Sequence, residues 1–132
     1  MPINESIFKS YDIRGIYPSE LNEDVAYAIG RAFARRSGAK KITVASDARV
    51  SGPALKKALV RGITDEGVDV KDIGLMPIDA IYFSVGKLGD EAGIMITASH
   101  NPKEYNGLKA VGRGAGPISG KEIYKIIMNY ES

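Results

Sequence analysis

The stretch Thr97-Ala98-Ser99-His100-Asn101-Pro102, followed at once by Tyr105-Asn106-Gly107-Leu108-Lys109, holds the densest chemistry in this sequence. Small residues and an Asn-Pro pair form a tight turn with Ser99 at its tip. A hydroxyl on a rigid turn can serve as a nucleophile or as the carrier of a phosphoryl group. The same residues are also ordinary turn formers, and on composition alone that plainer reading is the stronger, because fold constrains function only loosely. A Ser/His hydrolase pair is disfavoured: side chains of adjacent residues diverge, and the sequence has no Gly-x-Ser-x-Gly elbow around Ser99.

The residue types on offer narrow the chemistry further. There is no Cys, which removes disulfides, thiolate zinc sites and cysteine catalysis together. A single His excludes a multi-histidine metal centre, so any metal must take oxygen ligands, as magnesium does. The net charge is only +2, and the basic residues lie in scattered pairs such as Arg35-Arg36, Lys40-Lys41 and Lys56-Lys57. That argues against a nucleic-acid partner, while a small anion needs only a local site. No apolar run approaches a membrane span, and Met1-Pro2-Ile3-Asn4-Glu5 has neither the basic start nor the apolar stretch of a signal peptide. The expectation is a cytoplasmic protein with no membrane partner.

The elements that must hold the Ser99 turn alternate between helix and strand. Asn22 caps a first helix, Val25, Ile29 and Phe33 give it one apolar stripe, and Gly38 ends it. Ile42 to Ala45 reads as a buried parallel strand. Ser51 caps a second helix with Pro53 in its first turn, Leu55, Leu59 and Ile63 inside, and Gly67 at its close. Val68 to Ile73 is the next strand, and Ile78 to Val85 a third helix whose β-branched and aromatic content also suits a strand. Ala92 to Thr97 is the best central strand, and Gly107 to Val111 a fourth, open to antiparallel pairing. Ser119 and Glu122 form a capping box ahead of Ile123, Ile126 and Ile127. This alternation predicts one domain over residues 1–132, a three-layer α/β/α fold on a mixed, mostly parallel four-stranded sheet. Ser99 then lies at the carboxyl end of the central strand, where open α/β sheets place their ligand sites.

Thr97-Ala98-Ser99-His100-Asn101-Pro102 resembles the phosphoserine signature of the α-D-phosphohexomutases, the phosphoglucomutase and phosphomannomutase superfamily. Tyr11-Asp12-Ile13-Arg14-Gly15 and Asp47-Ala48-Arg49 with Ser51-Gly52 agree with the same family in order and spacing. Ala48 departs from its pattern, which commonly has Gly there. The resemblance spans nearly the whole chain and implies domain I, the phosphoserine domain, of a four-domain enzyme with the phosphoglucomutase first-domain fold.

By that resemblance Ser99 is the catalytic phosphoryl carrier, exchanging phosphate between the C1 and C6 hydroxyls of glucose or mannose phosphates through a hexose 1,6-bisphosphate, which is also the activator. A phosphoserine carries roughly −1.5 to −2 charges at neutral pH and needs cations around it. Magnesium is implied, with the Ser99 phosphate as one ligand. Arg14 has the planar fork suited to phosphate, although an ion pair with Asp12 or Asp47 would also account for it. Lys109 suits phosphate contact or proton transfer, against the plain alternative of an exposed strand lysine. His100 takes a phosphate-neighbouring or loop-ordering role, and Asn101 joins the phosphate-binding set. Tyr11 either sits beside Arg14 or is a partly buried structural tyrosine. Asp47 and Arg49 form a supporting ion pair at the floor of the site.

The family's acidic metal loop, with the pattern D-G-D-x-D-R, does not occur in this sequence, and neither do its sugar-recognition and phosphate-clamping loops. The expectation is that the chain needs the remaining mutase domains as partners and is inactive or only partly active by itself. A sugar-phosphate binding module without catalysis, or a self-associating isolated domain, are the competing readings.

Overall fold

The computed structural model describes residues 3–97 and 101–131. Ala98, Ser99 and His100 therefore lie outside the described residues. In chain order the elements are β1 (Ile13–Ile16), α1 (Glu23–Ser37), β2 (Lys41–Ser46), α2 (Gly52–Asp65), β3 (Asp69–Leu75), α3 (Ile78–Gly86), β4 (Gly93–Ile96), β5 (Tyr105–Val111), β6 (Pro117–Ile118) and α4 (Gly120–Glu131).

Helix α1 begins and ends where its sequence signals stand. The Asn22 side chain accepts a hydrogen bond from the Val25 amide, and Gly38 takes a left-handed φ of 63° just past the last turn. Helix α2 has Pro53 in its first turn and buries Leu55, Leu59 and Ile63 completely. Ser51 is its N-cap residue, as the sequence suggested, but without the side-chain bond. Its hydroxyl instead accepts from Asn106 Nδ2 at 2.7 Å. Asn106 is fully buried, and a buried amide must find a partner, so it takes the hydroxyl that would otherwise turn toward the helix end. At α4 only half of the box forms: Ser119 Oγ caps the helix by accepting from the Lys121 amide at 3.2 Å, while the Glu122 carboxylate pairs with Arg36 of α1.

The sheet has six strands among the described residues, in the order β1-β5-β4-β2-β3, with β6 also on β5. Both β3 and β4 run parallel to β2, while β5 is antiparallel to β4, β1 and β6. Five strands thus share one direction and β5 alone opposes them. The two strands beyond the expected four lie end to end along the outer edge of β5, β1 beside Tyr105 to Leu108 and β6 beside Ala110 and Val111. Each is too short for an alternating pattern to register, and Ile13-Arg14-Gly15-Ile16 is interrupted by a charge and a glycine. Strand β3 runs on past the expected Ile73 to Leu75. It forms the opposite edge, and its Asp69, Lys71 and Asp72 suit an exposed margin.

Helices α1, α2 and α4 bury their stripes against Ile42, Val44, Ile94, Ile96 and Leu108 on one face. On the other face α3 supplies Ile81 and Val85 to cover Ala45, Met95 and Val111. The three layers follow, with α3 a helix as the sequence suggested. Helices α1 and α2 cross in backbone contact, because a Cβ on Gly62 would stand 2.2 Å from the Tyr27 carbonyl and one on Gly30 2.4 Å from that of Leu59. No helix among the described residues is long and apolar enough to cross a membrane.

Candidate functional site

The parallel strands β2 and β4 end at the same edge of the sheet, and the opposed β5 begins there. Sequences distant in the chain meet at this edge: Asp47 to Gly52 after β2, Thr97 after β4, and Asn101 to Tyr105 leading into β5. Asp47 is fixed first, its amide donating to the Ile96 carbonyl at 3.0 Å. Its carboxylate accepts from Thr97 Oγ1 at 2.8 Å and from the Arg49 amide at 3.2 Å. The Arg49 side chain is only 15% exposed and lies 3.7 Å from Asp47. Its Nη1 donates to the carbonyls of Pro102 at 2.7 Å and Tyr105 at 3.0 Å, and its Nη2 to that of Asn101 at 2.7 Å.

Arg14 enters from the neighbouring edge. Strand β1 sets it directly opposite Gly107 of β5. Only glycine fits there: a Cβ would stand 2.2 Å from the Ile13 carbonyl and 3.0 Å from that of Thr97. Asp12 holds the Arg14 guanidinium by its Nε at 3.0 Å. Lys109 lies two residues beyond Gly107 and so on the same face of β5. Together Lys9, Tyr11, Arg14, Tyr82, Asn101 and Lys109 line an open cleft of about 490 Å³. Lys9, Arg14 and Asn101 also border an adjoining hollow of about 300 Å³. A third, of about 630 Å³, joins Asn101 to Asp47, Arg49 and Lys103. Asn101 therefore stands where three concavities meet, two positions after Ser99. Three cations face one carboxylate, Asp12, in the main cleft, an excess of positive charge suited to an anion.

Of the residues singled out in the sequence, Tyr11, Arg14, Asn101 and Lys109 are brought to this one cleft. Tyr11 is 78% exposed, so it is not a buried structural tyrosine. The ion pair of Arg14 goes to Asp12, and that of Asp47 to Arg49. Ser99 and His100 are outside the described residues. Lys9 and Tyr82 are additions that sequence reasoning missed. Lys9 comes in because its amide donates to the Asp12 carbonyl at 2.8 Å and Phe8 bridges Ile13, folding Lys9 to Asp12 into a turn. Tyr82 is delivered by α3 and has no local signal at all.

No group of three or more His, Cys, Asp or Glu side chains that could hold a metal ion occurs among the described residues. The carboxylates beside the cleft, Asp12 and Asp47, are already held by arginines. Among the described residues, then, there is no self-contained metal centre.

Residues 5–132 match the family model described as phosphoglucomutase/phosphomannomutase, alpha/beta/alpha domain I. A phosphomannomutase of Salmonella montevideo is 51% identical over 117 residues, which cover 89% of this chain and 26% of that protein. One from Klebsiella pneumoniae is 52% identical over 113 residues, covering 86% of this chain and 72% of that sequence. The crystal structure of a phosphoglucomutase/phosphomannomutase family protein from Burkholderia thailandensis superposes with a TM-score of 0.88 at 42% identity, over 98% of this chain and 31% of that one. The chain spans about a quarter of the length of curated relatives such as those of Salmonella and Escherichia coli.

Proposed function

The chain belongs to the phosphoglucomutase/phosphomannomutase family, matching its domain I, and from that premise we propose that it supplies the phosphoserine step of a hexose phosphate mutase. Ser99 Oγ carries the phosphoryl group. In the forward half-reaction the P–Oγ bond breaks as a sugar hydroxyl oxygen bonds to phosphorus, and the hydroxyl proton passes to a nearby base. The hexose 1,6-bisphosphate so formed then returns its other phosphoryl group to Ser99. The observation that carries this reading is the cationic cleft of Arg14, Lys109 and Lys9, opening at Asn101, on the sheet edge where β4 ends and β5 begins. Catalysis of phosphoryl transfer is mostly positioning and neutralisation of charge on the equatorial oxygens. Arg14 offers its fork to those oxygens while Asp12 holds it in place. Lys109 adds a point charge and a proton that can be exchanged. His100 and Asn101 flank the phosphate, Tyr11 walls the cleft toward the sugar, and Asp47 and Arg49 support the floor.

Magnesium is the cofactor of this reading, and from this chain it takes a Ser99 phosphate oxygen. When bound, the ion neutralises part of the charge on the transferring group. Its other ligands, and the contacts that choose between glucose and mannose phosphates, come from the rest of a longer cytoplasmic enzyme in which residues 1–132 are one domain.

The test is the intact mass of the chain after incubation with a hexose 1,6-bisphosphate and magnesium, beside Ser99→Ala. A gain of one phosphoryl group in the wild type alone is expected. A folded wild type that gains nothing, or a variant that binds the bisphosphate as well as a wild type that is never phosphorylated, would favour a binding module instead.

A further inference from the structure

We infer that Arg49 is a positioning residue for phosphoryl transfer at Ser99, and that it acts through the planar fork of its guanidinium and not through its charge. This rests on the reading of Ser99 as the phosphoryl carrier. An arginine placed mainly for an ion pair meets its carboxylate with two short parallel bonds. Arg49 does not: its Nε is 3.7 Å from Asp47, while its shorter bonds, 2.7 to 3.0 Å, reach the carbonyls of Asn101, Pro102 and Tyr105. Those carbonyls are neutral and belong to the connection that leads into β5. What the bonds confer is location.

Thr97, the last described residue before positions 98–100, is held from the same turn. Asp47, two residues before Arg49, accepts the Thr97 hydroxyl at 2.8 Å and donates its amide to Ile96 at 3.0 Å. Asp47 thus grips the described residue before positions 98–100, and Arg49 grips the one after. The turn is itself braced where Asn106 Nδ2 donates to Ser51 Oγ at 2.7 Å, tying the start of α2 to β5. Among the described residues the amino groups of Arg49 turn to carbonyls, whereas Arg14 is held by Asp12 through Nε. Lysine would keep the charge of Arg49 but cannot span several carbonyls from two nitrogens.

The experiment follows the rate of phosphate uptake by the chain across a range of hexose 1,6-bisphosphate concentrations with magnesium. In the step observed, a sugar O–P bond breaks, the P–Oγ bond forms, and the serine proton passes to the released sugar hydroxyl. Wild type, Arg49→Lys and Arg49→Ala are compared, with thermal midpoints for each. Displacement of a reacting group by about 1 Å can cost on the order of 100-fold. The maximal rate of Arg49→Lys should therefore fall about 10- to 100-fold, with the half-saturating concentration within about twofold of wild type and the fold retained. Wild-type rates in Arg49→Lys would overturn the inference and leave the Ser99 reading standing. So would a raised half-saturating concentration at an unchanged maximal rate, which marks an ordinary anion contact. Loss of folding in both variants would make Arg49 a stability residue only, and no uptake by the folded wild type would remove the Ser99 reading and this inference with it.

Discussion

Arg14 and Arg49 carry the same charge, yet their surroundings turn them to different work. The Arg14 side chain is 39% exposed at a cleft wall and anchored by one carboxylate, whereas Arg49 is 15% exposed and bonded to main-chain carbonyls. Replacing Arg14 by Lys keeps the charge and removes the fork. A charge-assisted hydrogen bond is worth about 1.5–3 kcal/mol, so losing one should weaken capture of a hexose bisphosphate about 10-fold or more. The measurement is the half-saturating concentration for phosphate uptake, which should rise in Arg14→Lys and not in Arg49→Lys. Equal rises in the two would erase the division between them. Arg14, Asn101, Lys109, Asp47 and Arg49 were named from the sequence because each sits in a stretch that resembles a motif of the family, and the structure sets them along the cleft or the hollow beside it. Lys9 and Tyr82 were not, since a turn and a separate helix carry them to the cleft and neither belongs to such a stretch. The fork of Arg49 on three carbonyls was equally hidden, because carbonyls leave no trace in residue type.

At the scale of elements, the helices were read well and the short strands poorly, for one physical reason. A stripe such as Val25, Ile29 and Phe33 repeats over several turns, whereas Ile13–Ile16 and Pro117–Ile118 pair along β5 without room for a pattern. Side-chain capping bonds, though not the cap at Ser51 itself, were also misjudged where tertiary partners competed, as Asn106 did for Ser51 and Arg36 for Glu122. The crossing of α1 and α2 gives the sharpest test of an element-level claim. Gly62→Ala places a methyl group 2.2 Å from the Tyr27 carbonyl, and the two backbones must separate. Overpacking of this kind costs about 1–3 kcal/mol. Gly38→Ala is the comparison: its φ of 63° is strained for alanine, but nothing lies within 4 Å of the new Cβ. Its cost should be nearer 1 kcal/mol. Urea midpoints should rank Gly62→Ala as the less stable, and the reverse order would mean that the helices are not in the contact described.

Across the whole molecule, two carboxylates tie elements that no single helix or strand would hold together, and they set how the fold responds to acid. Glu66, at the end of α2, takes bonds from Arg35 and Arg31 of α1. Those bonds, Arg35 foremost, hold it below its usual 4.5 against the opposing effect of burial. Asp90 accepts from Ser84 of α3, Thr43 of β2 and Lys71 of β3, so one side chain joins the second face of the sheet to its edge. The Ser84 and Thr43 bonds lead in drawing it below its usual 3.8. In both cases the folded state holds its proton less tightly than the unfolded chain. Between the lowered folded values and the ordinary ones the unfolded state binds more protons, so stability rises with pH there. The contribution is complete above about pH 5 and is lost as the pH falls through 4.5 and 3.8 toward the folded values. Urea unfolding of the wild type should therefore show stability declining between about pH 5 and pH 3. The double variant Glu66→Gln with Asp90→Asn should be less stable at neutral pH and lose less over the same interval, because its side chains take up no proton. Parallel curves for the two proteins would show that acid acts on this fold through other carboxylates, and that these two ties are geometric only.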